Sequence, residues 1–170
     1  RFNLTIKAAA TNEKAYGKKN EVSYFSQALM NGLSGQVAMK QNNEWIIETS
    51  CLVQNIYRLL NMVNPEQAYK QRCQCTIGES AMFLKHQQAP EVKLEIDCAP
   101  EAALPVAELS CRNSHNNQEH KRNPSPGKWS LEVAAGVYEI SAKFNTNNFK
   151  NHSDFYAVYP PLFEQKLTCE

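Results

Sequence analysis

The stretch from Cys73 to Cys111, CQCTIGESAMFLKHQQAPEVKLEIDCAPEAALPVAELSC, constrains this chain more than any other. It holds four of the six cysteines beside the clearest strand pattern in the sequence. Val92, Leu94, Ile96 and Cys98 alternate with Glu91, Lys93, Glu95 and Asp97, the period-two signature of a half-buried strand. Ala107, Leu109 and Cys111 again share one face, so the two runs are expected to pair with their terminal cysteines turned inward. Cysteines packed this densely on a sheet predict covalent staples and an oxidising compartment.

Six cysteines allow fifteen pairings. The reading adopted is Cys98 with Cys111, while Cys51 and Cys169 each take one of Cys73 and Cys75. Zinc is the rival use of these thiols, with Cys51, His86 or the His115 and His120 pair joining Cys73 and Cys75. The lone C-x-C without a second matching pair argues against it, so no metal and no cofactor are expected.

The 170 residues suffice for a single domain, read as helix-rich over 1–72 and strand-rich over 73–170. Leu52, Ile56, Leu59, Leu60 and Val63 form an apolar helical stripe, with Thr49 or Ser50 as cap. Asn64-Pro65-Glu66-Gln67 starts a fresh helix with an N-cap, a proline at the first position and a glutamine three residues after the cap. Val22, Phe25, Leu29 and Leu33 predict an earlier helix stopped by Gly35, and Phe2, Leu4 and Ile6 a first strand. Gln41-Asn42-Asn43 reads as the turn of a short hairpin that puts Trp45 and Ile47 on one face.

In the second half, Trp129, Leu131 and Val133, then Tyr138, Ile140, Ala142 and Phe144, predict two more strands. Phe155 to Tyr159 predicts another, stopped by Pro160-Pro161. Arg112 to Lys128 lacks an apolar anchor and reads as an exposed loop, as does Asn145 to Asp154. The fold class is therefore α+β, N-terminal helices packed on a mainly antiparallel, disulfide-stapled sheet.

Eighteen Lys and Arg nearly cancel seventeen Asp and Glu, which removes the broad field that would draw nucleic acid. No apolar run reaches the roughly 18 residues of a membrane span. The opening at Arg1 without a leader reads as a trimmed ectodomain, which leaves room for a membrane anchor outside the given chain. Asn3-Leu4-Thr5 and Asn151-His152-Ser153 are glycosylation sequons.

No G-x-S-x-G, H-E-x-x-H, P-loop or glycine-rich dinucleotide turn occurs. His152, Ser153 and Asp154 are adjacent, but a triad is assembled across a fold, so their adjacency reads as a polar turn. Glu91, Glu95 and Asp97 read as the solvated face of a strand. Phe155, Tyr156, Tyr159 and Phe163 around Pro160-Pro161 can offer a protein-binding surface, with His115 and His120 in a second contact loop.

The helix followed by antiparallel strands, with a C-terminal FYAVYPP and KLTC, resembles a cystatin-type arrangement over about the last fifteen residues. The inhibitory Q-x-V-x-G hairpin of that family is absent. Gln36-Val37-Ala38-Met39-Lys40 has neither its spacing nor its glycine, so protease inhibition does not carry over. The sequence thus points to a non-catalytic extracytoplasmic module, whether cell-surface, periplasmic or pilus-associated, that recognises another protein. A secreted hydrolase with a dispersed site and a carrier of an apolar ligand are the alternatives.

Overall fold

The computed structural model describes residues 3–68 and 71–170. Contacts divide the chain into two compact units, Arg1–Pro90 and Glu91–Glu170. The α+β class holds. Among the described residues, however, the strands are distributed over four sheets rather than one.

In the first unit, β1 (Leu4–Lys7) pairs antiparallel with β4 (Gln74–Ile77), Ile6 opposite Cys75. Phe2, expected on β1, lies outside the described residues. Helix α1 (Tyr24–Asn31) is capped by Ser23, whose Oγ accepts from the Ser26 N–H at 3.1 Å, and it buries Phe25 and Ala28. Val22, expected on that apolar face, is 52% exposed. A wider helical turn, Gly32–Gln36, follows and is kinked at Gly35, whose φ of +121° lies where a side chain is strained. Gly32 makes room for the next helix: a Cβ there would stand 2.8 Å from Leu52 and 2.9 Å from Leu59.

The hairpin of β2 (Met39–Gln41) and β3 (Glu44–Glu48) turns on Asn42 and Asn43, both at positive φ as a tight two-residue connection requires. Strand β5 (Met82–His86) completes that sheet on the other side of β3. Trp45, Ile46 and Ile47 are all buried, which explains the apolar run of β3.

β3 continues directly into α2 (Thr49–Val63), which buries Leu52, Ile56, Leu59 and Leu60, each burial worth about 1.5–3 kcal/mol. Thr49 and Ser50 are inside this helix rather than capping it. The cap position falls to Glu48 without a side-chain bond, because the Thr49 hydroxyl is taken by the Ala81 N–H at 3.1 Å. Asn64 does cap the short α3 (Pro65–Ala68), its Oδ1 accepting from Glu66 N–H at 3.0 Å. The Gln67 side chain is outside the described residues.

The second unit is built of two sheets. β6 (Glu91–Ala99) lies between β12 (Leu162–Thr168), parallel to it, and β9 (Trp129–Ala134), antiparallel. The other sheet runs in the order β11 (His152–Val158), β10 (Gly136–Lys143), β7 (Glu108–Asn113), β8 (Glu119–Arg122), all antiparallel. Val92, Leu94, Ile96 and Cys98 on one sheet and Leu109, Cys111, Ile140 and Ala142 on the other are buried, the pattern of two inner faces sharing a core. Tyr138 belongs to that core and satisfies its hydroxyl on the Ala134 carbonyl at 2.8 Å.

Two expectations are corrected here. The runs ending in Cys98 and Cys111 do not pair with each other, because a 3-10 turn over Glu101–Val106 carries the chain from one sheet to the other. Arg112 to Lys128 is not all loop. It contains the end of β7 and the charged edge strand β8, which needs no inward apolar run to pair. Its turn is built by Asn113, whose Oδ1 accepts from the N–H groups of His115 (2.8 Å) and Asn116 (3.2 Å).

The disulfide staples are likewise not made: all six cysteines are unbonded thiols. Cys98 and Cys111 stand on different sheets, and Cys73 immediately precedes β4, which carries Cys75.

Candidate functional site

Strand β11 is the edge of its sheet, so its side chains and one row of backbone groups define a surface. Register fixes what lies on the outward face. Phe155 sits opposite Glu139 and Ala157 opposite Val137, with Arg112 of β7 and Glu119 of β8 continuing the Glu139 row. Phe155 is 60% exposed and Val137 43%. Together they place two large apolar groups on one sheet face.

Beside them runs a polar ladder. The Arg112 guanidinium donates to the Glu139 carboxylate, and the Ser153 hydroxyl donates to the same carboxylate at 2.9 Å. These two hydrogen bonds, Arg112 first, hold the Glu139 carboxyl below its ordinary value, and Glu139 in turn raises the Arg112 guanidinium. Ser110 and Ser141 hydrogen-bond at 2.8 Å in the next row. The result is a row of fixed polar groups flanking an exposed aromatic ring.

The sequence-nominated contact residues fall in three places. Tyr159 follows β11 and is 42% exposed. Tyr156 faces the other side of β11, half-buried, with its ring 6.3 Å from that of Phe163 and its phenol raised chiefly by burial. His115 is exposed in the Asn113 turn, and His120 is half-buried on β8 opposite Cys111. The structure therefore gathers Phe155 and Val137 on one face and leaves the two histidines at the opposite edge strand and its turn.

Asn3 and Asn151 are both exposed. The Asn151 Oδ1 accepts from the Phe144 N–H at 2.9 Å, which closes the turn between β10 and β11. His152, Ser153 and Asp154 follow one another on β11. The His152 ring is engaged by Tyr156 and the Thr168 carbonyl rather than by Ser153.

Among the described residues no three of His, Cys, Asp or Glu converge as metal ligands, and no helix is long and apolar enough to cross a membrane. A cleft of about 280 Å³ lined by Glu95, Asp97, Lys128, Glu164, Gln165 and Lys166 lies along β6 and β12, with charges of both signs.

Sequence reasoning missed two features. Met82 (62% exposed), Phe83 (57%) and Leu84 (39%) form an open apolar run on the edge strand β5. Its signal was the unbroken AMFL, without alternation. The Arg112–Glu139 pair had no sequence signal, because it depends on register across two strands 27 residues apart.

No family model matches the chain, and no curated protein matches it. Among solved structures it is similar to the Bacillus anthracis TIE protein, at TM-score 0.33 and 14% identity over 58% of this chain and 20% of that one. It is also similar to the group B streptococcus pilus 2b backbone protein, at TM-score 0.28 and 7% identity over 57% of this chain and 48% of that one. The chain thus spans about a fifth and about half of those two chains. Superpositions this loose carry no argument about what the protein does.

Proposed function

We propose that the chain is a non-catalytic extracytoplasmic binding module, of the cell-surface, periplasmic or pilus-associated kind, that docks a protein partner on the outward face of β10 and β11. The observation that carries this reading is Phe155, 60% exposed on an edge strand beside Val137 and the Arg112–Glu139 pair. An aromatic anchor rimmed by fixed charges is the composition of an interface centre: the ring supplies buried area and the ion pair supplies register. The exposed sequons at Asn3 and Asn151 are compatible with passage through a secretory route.

The test places a photo-crosslinking amino acid at Phe155 in the protein expressed in its native cells, with the same probe at exposed Glu101 as control. A crosslinked protein at 155 and none at 101 supports the reading. Equal capture at both positions, or none at 155, rejects it.

A further inference from the structure

Cys98 on β6 and Cys169, the residue just past the end of the neighbouring β12, are both fully buried. In the parallel register Leu167 stands opposite Cys98, and side chains two apart on a strand share a face, so Cys169 lies diagonally beside Cys98 on the inner face. The backbone fixes this placement, since the Cys169 N–H donates to the Ala99 carbonyl at 2.7 Å. The two thiols are near enough to perturb each other, Cys98 being raised by burial and by Cys169, while the Cys169 thiol donates to the Leu167 carbonyl at 3.5 Å. Cys111, by contrast, is set opposite Ile140 and His120, and burial alone raises its thiol.

We propose that Cys98 and Cys169 are a disulfide-forming pair that closes across β6 and β12 by exchange with a disulfide-donating oxidant. The Cys169 thiolate attacks the donor's S–S bond, releasing one donor thiol and leaving a mixed disulfide. The Cys98 sulfur then attacks the Cys169 sulfur and displaces the second donor thiol. Two cysteine thiols lose two electrons, the donor disulfide gains them, and the two protons end on the donor thiols.

Burial raises both thiols, but at Cys169 the neighbouring Cys98 offsets part of the rise by stabilising the anion, whereas Cys98 is pushed up to about 12 by burial and by Cys169, so Cys169 is the entering nucleophile. Cys169 is held by two backbone bonds, Cys169 N–H to the Ala99 carbonyl and Lys150 N–H to the Cys169 carbonyl (2.9 Å), and this end of the chain must open before an oxidant can reach the buried thiol. The bond would fix the parallel pair with the longest sequence separation in the unit, where restricting the unfolded chain stabilises most. This inference is independent of the partner-binding reading.

The test uses the whole chain, purified reduced, then incubated with glutathione disulfide, alkylated in denaturant and mapped without reduction. The expected result is two fewer alkyl groups and one crosslinked peptide containing Cys98 and Cys169, reversed by dithiothreitol. A rise in Tm on the order of 10 °C should accompany it. Cys111→Ser should keep the link and Cys169→Ser should lose it. Alkylation of both Cys98 and Cys169, glutathione left on Cys169 alone, or a link from either to another cysteine overturns the proposal. The wild-type map decides the matter even if a variant fails to fold.

Discussion

The imidazole of His152 reaches from β11 to the backbone of Thr168 on β12, its Nδ1 3.1 Å from that carbonyl oxygen. A carbonyl only accepts, so Nδ1 carries the proton, and Nε2, 2.9 Å from the Tyr156 hydroxyl, accepts from it. One ring thereby ties the edges of the two sheets of the second unit. Removing the hydroxyl in Tyr156→Phe is expected to cost about 1 kcal/mol, and His152→Ala about 1–3 kcal/mol because both bonds go. In urea unfolding the double variant should cost less than the two singles together; strictly additive losses would show that the ring and the phenol are not coupled.

The Arg112–Glu139 pair predicts an acid limb. Arg112 and Ser153 hold the Glu139 carboxyl below its ordinary value of 4.5 in the folded protein, so the unfolded chain takes up the proton first as pH falls. The contribution is present above that value and is lost as pH drops through the folded one. Glu139→Gln should therefore trail the wild type by a constant margin near neutrality, and the margin should shrink below about pH 4.5. Both groups are open to solvent, so added salt should narrow the gap as well. Urea midpoints followed from about pH 3 to pH 7 decide the matter: a margin unchanged across that range would remove the pair from the account.

Two glycines separate backbone strain from crowding. Gly35 and Gly127 both sit at positive φ, +121° and +81°. A Cβ at Gly127 meets nothing within 4 Å, whereas at Gly35 it would stand 2.6 Å from the Pro90 Cβ. Gly127→Ala should cost only the backbone term, about 1–2 kcal/mol. Gly35→Ala adds displacement of Pro90 and should exceed it by about 1–3 kcal/mol. Equal losses in matched thermal melts would mean that Pro90 yields freely.

What could be read from the sequence follows from how local each signal is. The alternation of Val92 to Cys98, the stripe of Leu52 to Leu60 and the Asn42-Asn43 turn are set by near neighbours, and each appears as an element in the structure. Pairing partners are not local. Proximity in sequence suggested that the Cys98 and Cys111 strands pair, yet β6 joins β12 instead, Leu162 opposite Lys93. Strand β8, Glu-His-Lys-Arg, carried no pattern because an edge strand can be charged throughout. Of the candidate site, the aromatic letters were visible, but which of them faces outward depended on the register of β10 with β11.

Burial of Cys111 makes an alkaline prediction. Desolvation pushes its thiol from 9.0 to about 12. Between those values the unfolded chain gives up the proton and the folded protein keeps it, so stability is whole below 9.0 and falls as pH rises toward about 12. One group can contribute a slope of at most about 1.4 kcal/mol per pH unit. Cys111→Val stays apolar and removes the proton, so its stability should decline less steeply than the wild type's above about pH 9, whatever constant offset its larger side chain adds at about pH 7. Cys73, Cys98 and Tyr138 are raised chiefly by burial too, and remain as residual slope in the variant. Parallel decline of the two proteins in guanidinium unfolding across that range would show that Cys111 ionises in the folded state, and that the core around it admits water.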